Sequence, residues 1–417
     1  MISKLNDPIT DDNSYIITDE SDLSNNTCSK SNISNSSSEY ISSSSDENFE
    51  QSNNLELTGK TLNHYNILYE LGRGGYSIVW LAYNTINKNF YAIKIQDPND
   101  FDDGLAEIKF VQKLPKNPNL FNNIIEYFIY KVNNLKYLCS VWNLHYSNID
   151  SIIRKGTYNN GLPLDIVKKI MIQLMNAIKI LHKKYKIFHG DIKTDNILVK
   201  GYNDKDLYTI TEYNKLYNNR NDHEKITKII LENINKNEIS KYKNYNKILE
   251  SIDISLSDFG TFCEENNYYE NSFGTRYYQA PEIILMGKCS YPVDIWALGC
   301  TFYELLSGKF LFDPNKDSKH NRDWFHLYLI NQTCGDFSTK CIKNTKYYNN
   351  YFINNKLIDT ESNNFNYKRL YEKINILNLN DSIKSEIIDL LKLMLTIDCN
   401  KRITIDELLK KQFFNNI

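Results

Sequence analysis

The 417-residue chain contains no run of about 18 uninterrupted apolar residues, so no membrane-spanning helix is expected. Its opening, MISKLNDPITDDNSY, is acidic and has no apolar core, which is not the pattern of a secretory leader. The eight cysteines (Cys28, Cys139, Cys263, Cys289, Cys300, Cys334, Cys341 and Cys399) are scattered, with no C-x-x-C pair among them. Neither a disulfide framework nor a zinc site is expected. Reduced thiols in a cytosolic or nuclear compartment fit that spacing. There is also no large net charge: the formal value is −2. That balance hides a split, because residues 1–59 hold eleven acidic and two basic side chains, leaving 47 basic and 40 acidic residues in the remainder. So mild a basic excess does not argue for nucleic-acid binding.

What is present reads as a globular body behind a polar tail. The composition, 41% hydrophobic and 24% charged, is ordinary for a globular protein, and the length exceeds one average domain. Residues 1–60 form the tail. Its run SNISNSSSEYISSSSDENFE has too little apolar surface to offset the entropy of ordering, so disorder is expected. A solvated tail is favoured over a phosphorylation target, although serines do precede Asp46, Glu47 and Glu50.

Residues 61–415 have a different texture. LNHYNILYELG, YSIVWLAYN and NFYAIKIQ are rich in aromatic and β-branched residues and read as antiparallel strands. DGLAEIKFVQKL reads as a helix, then IIEYFIYKV and LKYLCSVWNL as two more strands. In LDIVKKIMIQLMNAIKILHKKY, Ile166, Ile170, Leu174, Ile178 and Leu181 recur at helical spacing. VDIWALGCTFYELLSG and DSIKSEIIDLLKLML are further helices. A small sheet-rich half followed by a larger helical half is an α+β, two-lobe plan. Two polar stretches, about 201–250 and 336–380, read as insertions on surface loops rather than separate folds.

The chemistry-bearing residues fall in a definite order. LGRGGYSIVW places Gly72 and Gly74 between two strands, with Ser77 at the position of a third glycine. Glycine lets backbone N–H groups approach phosphate oxygens without an intervening Cβ. The loop leads into a strand and not a helix, which excludes a Rossmann reading. Lys94 lies on the next strand among Ala92, Ile93 and Ile95, where an ammonium needs a partner, and Glu107 in the following helix can supply it. FHGDIKTDNILV then sets Asp191, Lys193 and Asn196 between a helix and a strand. The carboxylate can orient a hydroxyl and accept its proton, the lysine can neutralise phosphoryl charge, and the amide can ligate a metal. In SLSDFGTF, Asp258 offers a second carboxylate for Mg2+.

With these segments in this order, residues from about 65 to 415 resemble the eukaryotic protein-kinase superfamily. Its marks are LGRGGYSIV, AIK, HGDIKTDN, DFG, APE (Ala280, Pro281, Glu282), DIWALG (Asp294, Trp296, Gly299) and Arg402. The resemblance implies a two-lobed kinase fold, with a small lobe of about 62–143 and a large lobe of about 144–415. It implies an ATP site made by Leu71, Gly72, Arg73, Gly74, Gly75, Tyr76, Ser77, Val79, Ala92, Lys94, Glu107, Leu144 and His145, the last two in the hinge. Lys94 would hold the α and β phosphates and pair with Glu107. Asp191 would be the catalytic base beside Lys193, with Mg2+ on Asn196 and Asp258. Glu282 and Arg402 would form a buried ion pair. Thr275 would face Asp191 and Lys193, and Asp294 marks the large-lobe helix. The implied reaction is transfer of the ATP γ-phosphate to Ser or Thr hydroxyls of protein substrates. A monomer is expected, with neither nucleic acid nor a membrane as partner.

GTRYYQAPE, with Arg276, is similar to the group that includes cyclin-dependent, dual-specificity and SR-protein kinases. The helix and catalytic loop look most like the SR-protein branch, in which a long spacer stands where residues 201–250 fall. Several positions depart from that pattern. Gln279 replaces an arginine, and Lys309, Phe325 and Gln332 fall where acids of the SR-kinase docking groove are expected, so an arginine–serine preference does not carry over. Gly190 replaces the arginine that usually gathers an activation-loop phosphate. Asn143 replaces the hinge glutamate, after Trp142 at the gatekeeper position. The competing class is a pseudokinase or scaffold that keeps only the fold. Lys94, Asp191, Asn196 and Asp258 are all present, which argues for an active enzyme.

Overall fold

The structure, a computed structural model, describes residues 14–15, 55–115, 120–156, 158–217, 222–236, 245–264, 272–315, 319–337, 340–360 and 369–415. The expected disordered tail lies outside the described residues, apart from 14–15 and 55–60. In chain order the strands are β1 (Ser14–Tyr15), β2 (Thr61–Leu62), β3 (Tyr65–Arg73), β4 (Ser77–Asn84), β5 (Phe90–Gln96), β6 (Ile124–Val132), β7 (Leu135–Asn143), β8 (Ser147–Asn148), β9 (Ile187–Phe188), β10 (Ile197–Val199), β11 (Ile254–Leu256) and β12 (Cys263–Glu264). The helices used below are α1 (Phe101–Val111), α2 (Ile149–Lys155), α3 (Leu164–Ile180), α4 (Asp204–Tyr217), α5 (His223–Lys236), α6 (Pro292–Ser307), α7 (Arg322–Cys334) and α8 (Asp381–Met394). The strand and helix types expected from the sequence are those found, and the fold is α+β.

The chain divides into two compact units. The first comprises Met1–Lys113, Asn123–Leu144 and Lys205–Ile239, and the second Leu114–Asn122, His145–Asp204 and Ser240–Ile417. The first unit is built on an antiparallel sheet of order β1-β6-β7-β5-β4-β3-β2. Successive residues point to opposite faces, and both faces are buried. Tyr65, Ile67, Trp80, Ile93, Ile95 and Phe128 fill one side. Leu68, Tyr69, Leu81, Tyr83 and Phe90 fill the other, against Tyr213, Ile226, Ile230 and Ile234. Those last four residues belong to α4 and α5. The stretch expected to be a loop insertion of the helical half is therefore a helical layer on this sheet. A sheet apolar on both faces must be covered on both, and the Ile226, Ile230, Ile234 stripe of α5 does this on the second face.

The second unit is organised around α6. Every residue of α6 from Val293 to Ser307 is buried, as expected of a helix at the centre of a helical body. Pro292 starts it, and Gly308 ends it at φ +69°, where an added Cβ would lie 2.3 Å from the Asn159 carbonyl oxygen. Asn side chains cap three neighbours: Asn148 on α2, Asn321 on α7 and Asn380 on α8. The second polar stretch also carries packed structure, since Phe337 and Tyr348 each lie 4.9 Å from Phe352. Cys139, Cys263, Cys289, Cys300 and Cys334 are free thiols, but Cys399 is disulfide-bonded, contrary to the expectation of reduced thiols throughout. Spacing alone does not tell which scattered cysteines a fold brings together. Among the described residues no helix is long and apolar enough to cross a membrane, and no group of three or more His, Cys, Asp or Glu side chains could hold a metal.

Candidate active site

In the first unit, β3 and β4 form the hairpin that carries the glycine-rich turn. Gly74 N–H donates to the Ser77 carbonyl at 2.9 Å, closing a tight turn without a third glycine. None of Gly72, Gly74 and Gly75 has positive φ, and a Cβ at Gly72 or Gly75 would meet no protein atom within 4 Å. Packing inside the protein therefore does not demand glycine there. Tyr76 at the tip is exposed, and Arg73 pairs with Glu70 at 2.6 Å on the surface. Val79 stands opposite Gly72 on one side and Lys94 on the other. Ala92 on β5 pairs with Leu81 and with Trp142 on β7. The Trp142 indole is buried and donates to Ser140 Oγ at 2.8 Å, which fixes its ring beside Ala92. Lys94 Nζ meets Glu107 Oε2 at 2.7 Å, and Glu107 is buried on α1. Acids in the first turn of α1 and Lys109 in its last suit the helix dipole. Leu71 and Leu144 both pack against the apolar cluster on the second face of the sheet.

The second unit gathers the remaining residues, with His145 just ahead of β8. Asp191 sits at the centre of a fixed network. Its Oδ1 accepts from Thr275 N–H at 2.7 Å, and its Oδ2 faces Lys193 Nζ at 2.9 Å. Lys193 Nζ also donates to Thr275 Oγ1 at 2.7 Å, so one ammonium bridges the carboxylate and the hydroxyl. Burial, the largest single influence, would lower the Lys193 pKa, but the Asp191 carboxylate together with Asp195 and Asp258 holds it above its ordinary value. Asn196 Nδ2 donates to the Asp191 carbonyl at 2.9 Å and to Oδ2 at 3.3 Å, which leaves the amide oxygen as the end able to meet a cation.

β10 and β11 pair antiparallel with Ile197 opposite Leu256, so Asn196 and Asp258 lie at the same end of this ribbon. Asp258 has φ +62°, an uncommon conformation for a residue with a Cβ. Phe259 anchors it, buried 5.0 Å from the His189 ring. Asp294 holds the loop from beneath: Oδ2 accepts from His189 N–H and His182 Nε2, and Oδ1 from Gly190 N–H, at 2.8–3.0 Å. Burial would raise this carboxyl, yet His182 and the backbone donors bring it below its ordinary value. Glu282 and Arg402 are joined by two hydrogen bonds of 2.7 and 3.0 Å, both side chains buried. Arg276 pairs with Asp323 on α7.

Comparison with known proteins settles the family. The description "Protein kinase domain" matches residues 65–414. The chain belongs to the protein kinase family. Among its relatives is a protein named as a serine/threonine-protein kinase of Acanthamoeba polyphaga mimivirus, 26% identical over 85% of this chain and 87% of the relative. The dual specificity protein kinase lkh1 of Schizosaccharomyces pombe is also 26% identical, over 85% of this chain and 47% of its own length. The serine/threonine-protein kinase SRPK of Physarum polycephalum is 28% identical, over 69% of this chain and 71% of its own.

Within the kinase, the segment before Glu282 is tied down by contacts that sequence reading did not foresee. Gln279 Nε2 donates to Ser272 Oγ and the Phe273 carbonyl at 2.9 Å, and to the Gly274 carbonyl at 3.2 Å. Gly190 has φ +82°, and a Cβ there would lie 2.7 Å from the Thr261 carbonyl oxygen. A Cβ on Gly274 would lie 2.4 Å from the Gly190 carbonyl, so the two backbones meet directly. Tyr277 stacks on Phe310 with centroids 4.2 Å apart. None of these contacts needs a phosphate. Phosphatase treatment of the bacterially expressed kinase is therefore expected to leave its initial rate within about twofold. A loss beyond about tenfold, ~1.4 kcal/mol of barrier, overturns this if mass spectrometry places the lost phosphate between Asp258 and Glu282.

Glu304 is the second residue that sequence reading missed. It is fully buried on α6, where it accepts from Tyr278 Oη and Thr194 Oγ1 and pairs with Arg154. A second carboxylate, after Asp294, in a mostly apolar helix was the available signal. Burial is the largest influence and raises its pKa to about 7, against the hydrogen bond from Tyr278 and the charge of Arg154. A carboxyl raised on folding contributes stability that is full below its ordinary pKa and is lost as pH rises towards 7. Between pH 5 and 8 the Tm of the wild type should fall by about 5 °C more than that of Glu304→Gln. Parallel Tm curves for the two proteins would contradict the assignment.

Proposed function

We propose that this kinase transfers phosphate from Mg-ATP to serine and threonine hydroxyls and not to tyrosine. The observation that carries this reading is the Lys193 ammonium bridging Asp191 Oδ2 and Thr275 Oγ1. It fixes the carboxylate and puts a cation beside it, which suits a short acceptor hydroxyl with phosphoryl charge developing nearby. Asp191 orients the hydroxyl and accepts its proton. Lys94, held by Glu107, takes phosphate oxygens of ATP. Close approach of phosphate to the backbone accounts for glycine at 72 and 75, where the protein's own packing does not. Asn196 and Asp258 present oxygens of the kind a hard cation takes, and Mg2+ there would neutralise phosphate charge. Purified protein incubated with labelled ATP and a degenerate peptide library should yield phosphoserine and phosphothreonine. Phosphotyrosine at comparable yield would establish dual specificity instead.

The acceptors we propose are protein side chains, taken by a monomer in the cytosol or nucleus, with no nucleic acid or membrane involved. Phe325 is buried in α7, and Lys309 carries the wrong sign for a basic ligand. Arginine–serine repeats are thus expected to be no better as substrates than other basic peptides. Processive phosphorylation of a long arginine–serine tail would refute that.

A further inference from the structure

Helices α4 and α5 bind the β3 strand through a directional chain of hydrogen bonds. Thr61 Oγ1 donates to Asn66 Oδ1 at 2.8 Å, and Asn66 Nδ2 to Tyr213 Oη at 3.0 Å. His223 Nε2 lies 3.0 Å from the Ile67 carbonyl oxygen, which can only accept, so the ring proton is on Nε2. His223 Nδ1 must then accept, and Tyr213 O–H donates to it at 2.9 Å. Burial keeps His223 below its ordinary pKa, consistent with the neutral ring the chain requires. Farther along β3, Tyr69 Oη donates to the buried Asp206 at 2.8 Å, and the Lys205 ammonium lies 3.6 Å from the centre of the Tyr69 ring. The Asn66 side chain, the Ile67 carbonyl and the Tyr69 hydroxyl of the strand that ends in the glycine turn are thus held by α4 and α5.

The same helices complete an apolar cluster against which residues proposed to meet the nucleotide pack. Leu71, at the end of β3, and Leu144, after β7, both pack against the cluster that Tyr213, Ile226, Ile230 and Ile234 complete. We propose that α4 and α5 are a positioning element for ATP, with Tyr213 and His223 as positioning residues that set β3, Leu71 and Leu144. This rests on the assignment of Leu71 and Leu144 to the ATP site. A segment between the catalytic loop and Asp258 in sequence would in this way govern nucleotide affinity from the first unit.

The test separates positioning from plain stability. In the full-length protein, Tyr213→Phe keeps the ring and removes one hydroxyl, and His223→Ala removes the imidazole's bonds to the Ile67 carbonyl, Tyr213 and Thr227. Each should weaken Mg-ADP binding by calorimetry, and raise KM for ATP, by about fivefold, the scale of one buried hydrogen bond. The kcat at saturating ATP and KM for the acceptor peptide should stay within about twofold. His223→Gln, whose amide can donate to the Ile67 carbonyl and accept from Tyr213, should recover most of the affinity. Phe128→Leu, in the cluster on the opposite face of the sheet, serves as the stability control and should lower Tm with nucleotide affinity unchanged. Unaltered Mg-ADP affinity in Tyr213→Phe and His223→Ala, or an equal loss in Phe128→Leu, overturns the inference. Because calorimetry needs no turnover, wild type that binds Mg-ADP but transfers no phosphate would count against the transfer mechanism and leave this test intact.

Discussion

Replacing Asp191 by alanine should lower kcat by about three orders of magnitude, within the 10²–10⁴ range for a positioned general base with its orienting role. The same substitution should leave Mg-ADP affinity within about threefold, because the side chain is proposed to act on the acceptor hydroxyl. The network shows why nothing nearby can substitute. Lys193 is cationic and cannot take a proton, Thr275 contributes a hydroxyl, and Asn196 Nδ2 is a donor already committed to Asp191. Asp191→Asn is the sharper version, since it keeps the volume and most of the hydrogen bonds while removing the charge. Single-turnover measurement with phosphopeptide readout checks both variants. An Asp191→Ala enzyme working near the wild-type rate would mean that the proton goes elsewhere. Asp258→Ala should also abolish transfer, but with Mg-dependent nucleotide binding lost as well, so the two acids are distinguishable by calorimetry.

Much of this arrangement was legible in the sequence, and the reason is local. Asp191, Lys193 and Asn196 lie within one short loop whose flanking helix and strand declare themselves by periodicity. Lys94 and Glu107 could be paired because an ammonium among Ala92, Ile93 and Ile95 needs a counter-charge. What stayed hidden was the partner of each long-range contact. Gln279 reads as a lost arginine in sequence, and only the fold shows its amide reaching Ser272, Phe273 and Gly274 at once. Glu304 meets Arg154, Thr194 and Tyr278 from three separate segments.

The role of α4 and α5 was concealed for another reason. In α4 the aromatic and apolar residues Tyr208, Ile210, Tyr213, Leu216 and Tyr217 are interleaved with polar ones, and α5 shows only one narrow apolar stripe. The clue lay in the strands instead. ILY in β3 and IVWLAY in β4 are apolar without alternation, which requires cover on both faces of the sheet, and no other described segment of the first unit supplies the second cover. Counting uncovered faces would have called for these helices before any coordinates.

Arg402→Ala should destabilise the second unit by about 3–5 kcal/mol, the usual cost of leaving one partner of a buried ion pair without the other. Glu282 is 1% exposed and Arg402 4%, so neither water nor a neighbour can take over the lost charge. The guanidinium also donates to the Thr396 carbonyl at 2.9 Å and the Pro292 carbonyl at 2.7 Å, and lies 5.0 Å from the centre of the Trp296 ring. One side chain thus ties the helical turn at Pro281–Ile284 to the start of α6 and to the loop after α8. Arg402→Lys should recover little, because a single ammonium cannot reproduce a planar fork that engages the carboxylate and both carbonyls. The double substitution Glu282→Gln with Arg402→Met removes both charges and should be less damaging than Arg402→Ala alone. Chemical denaturation followed by tryptophan fluorescence, with Trp296 beside the pair, reads all three variants. If Arg402→Ala loses less than about 1 kcal/mol, the pair is a surface-like contact and its burial has no energetic consequence.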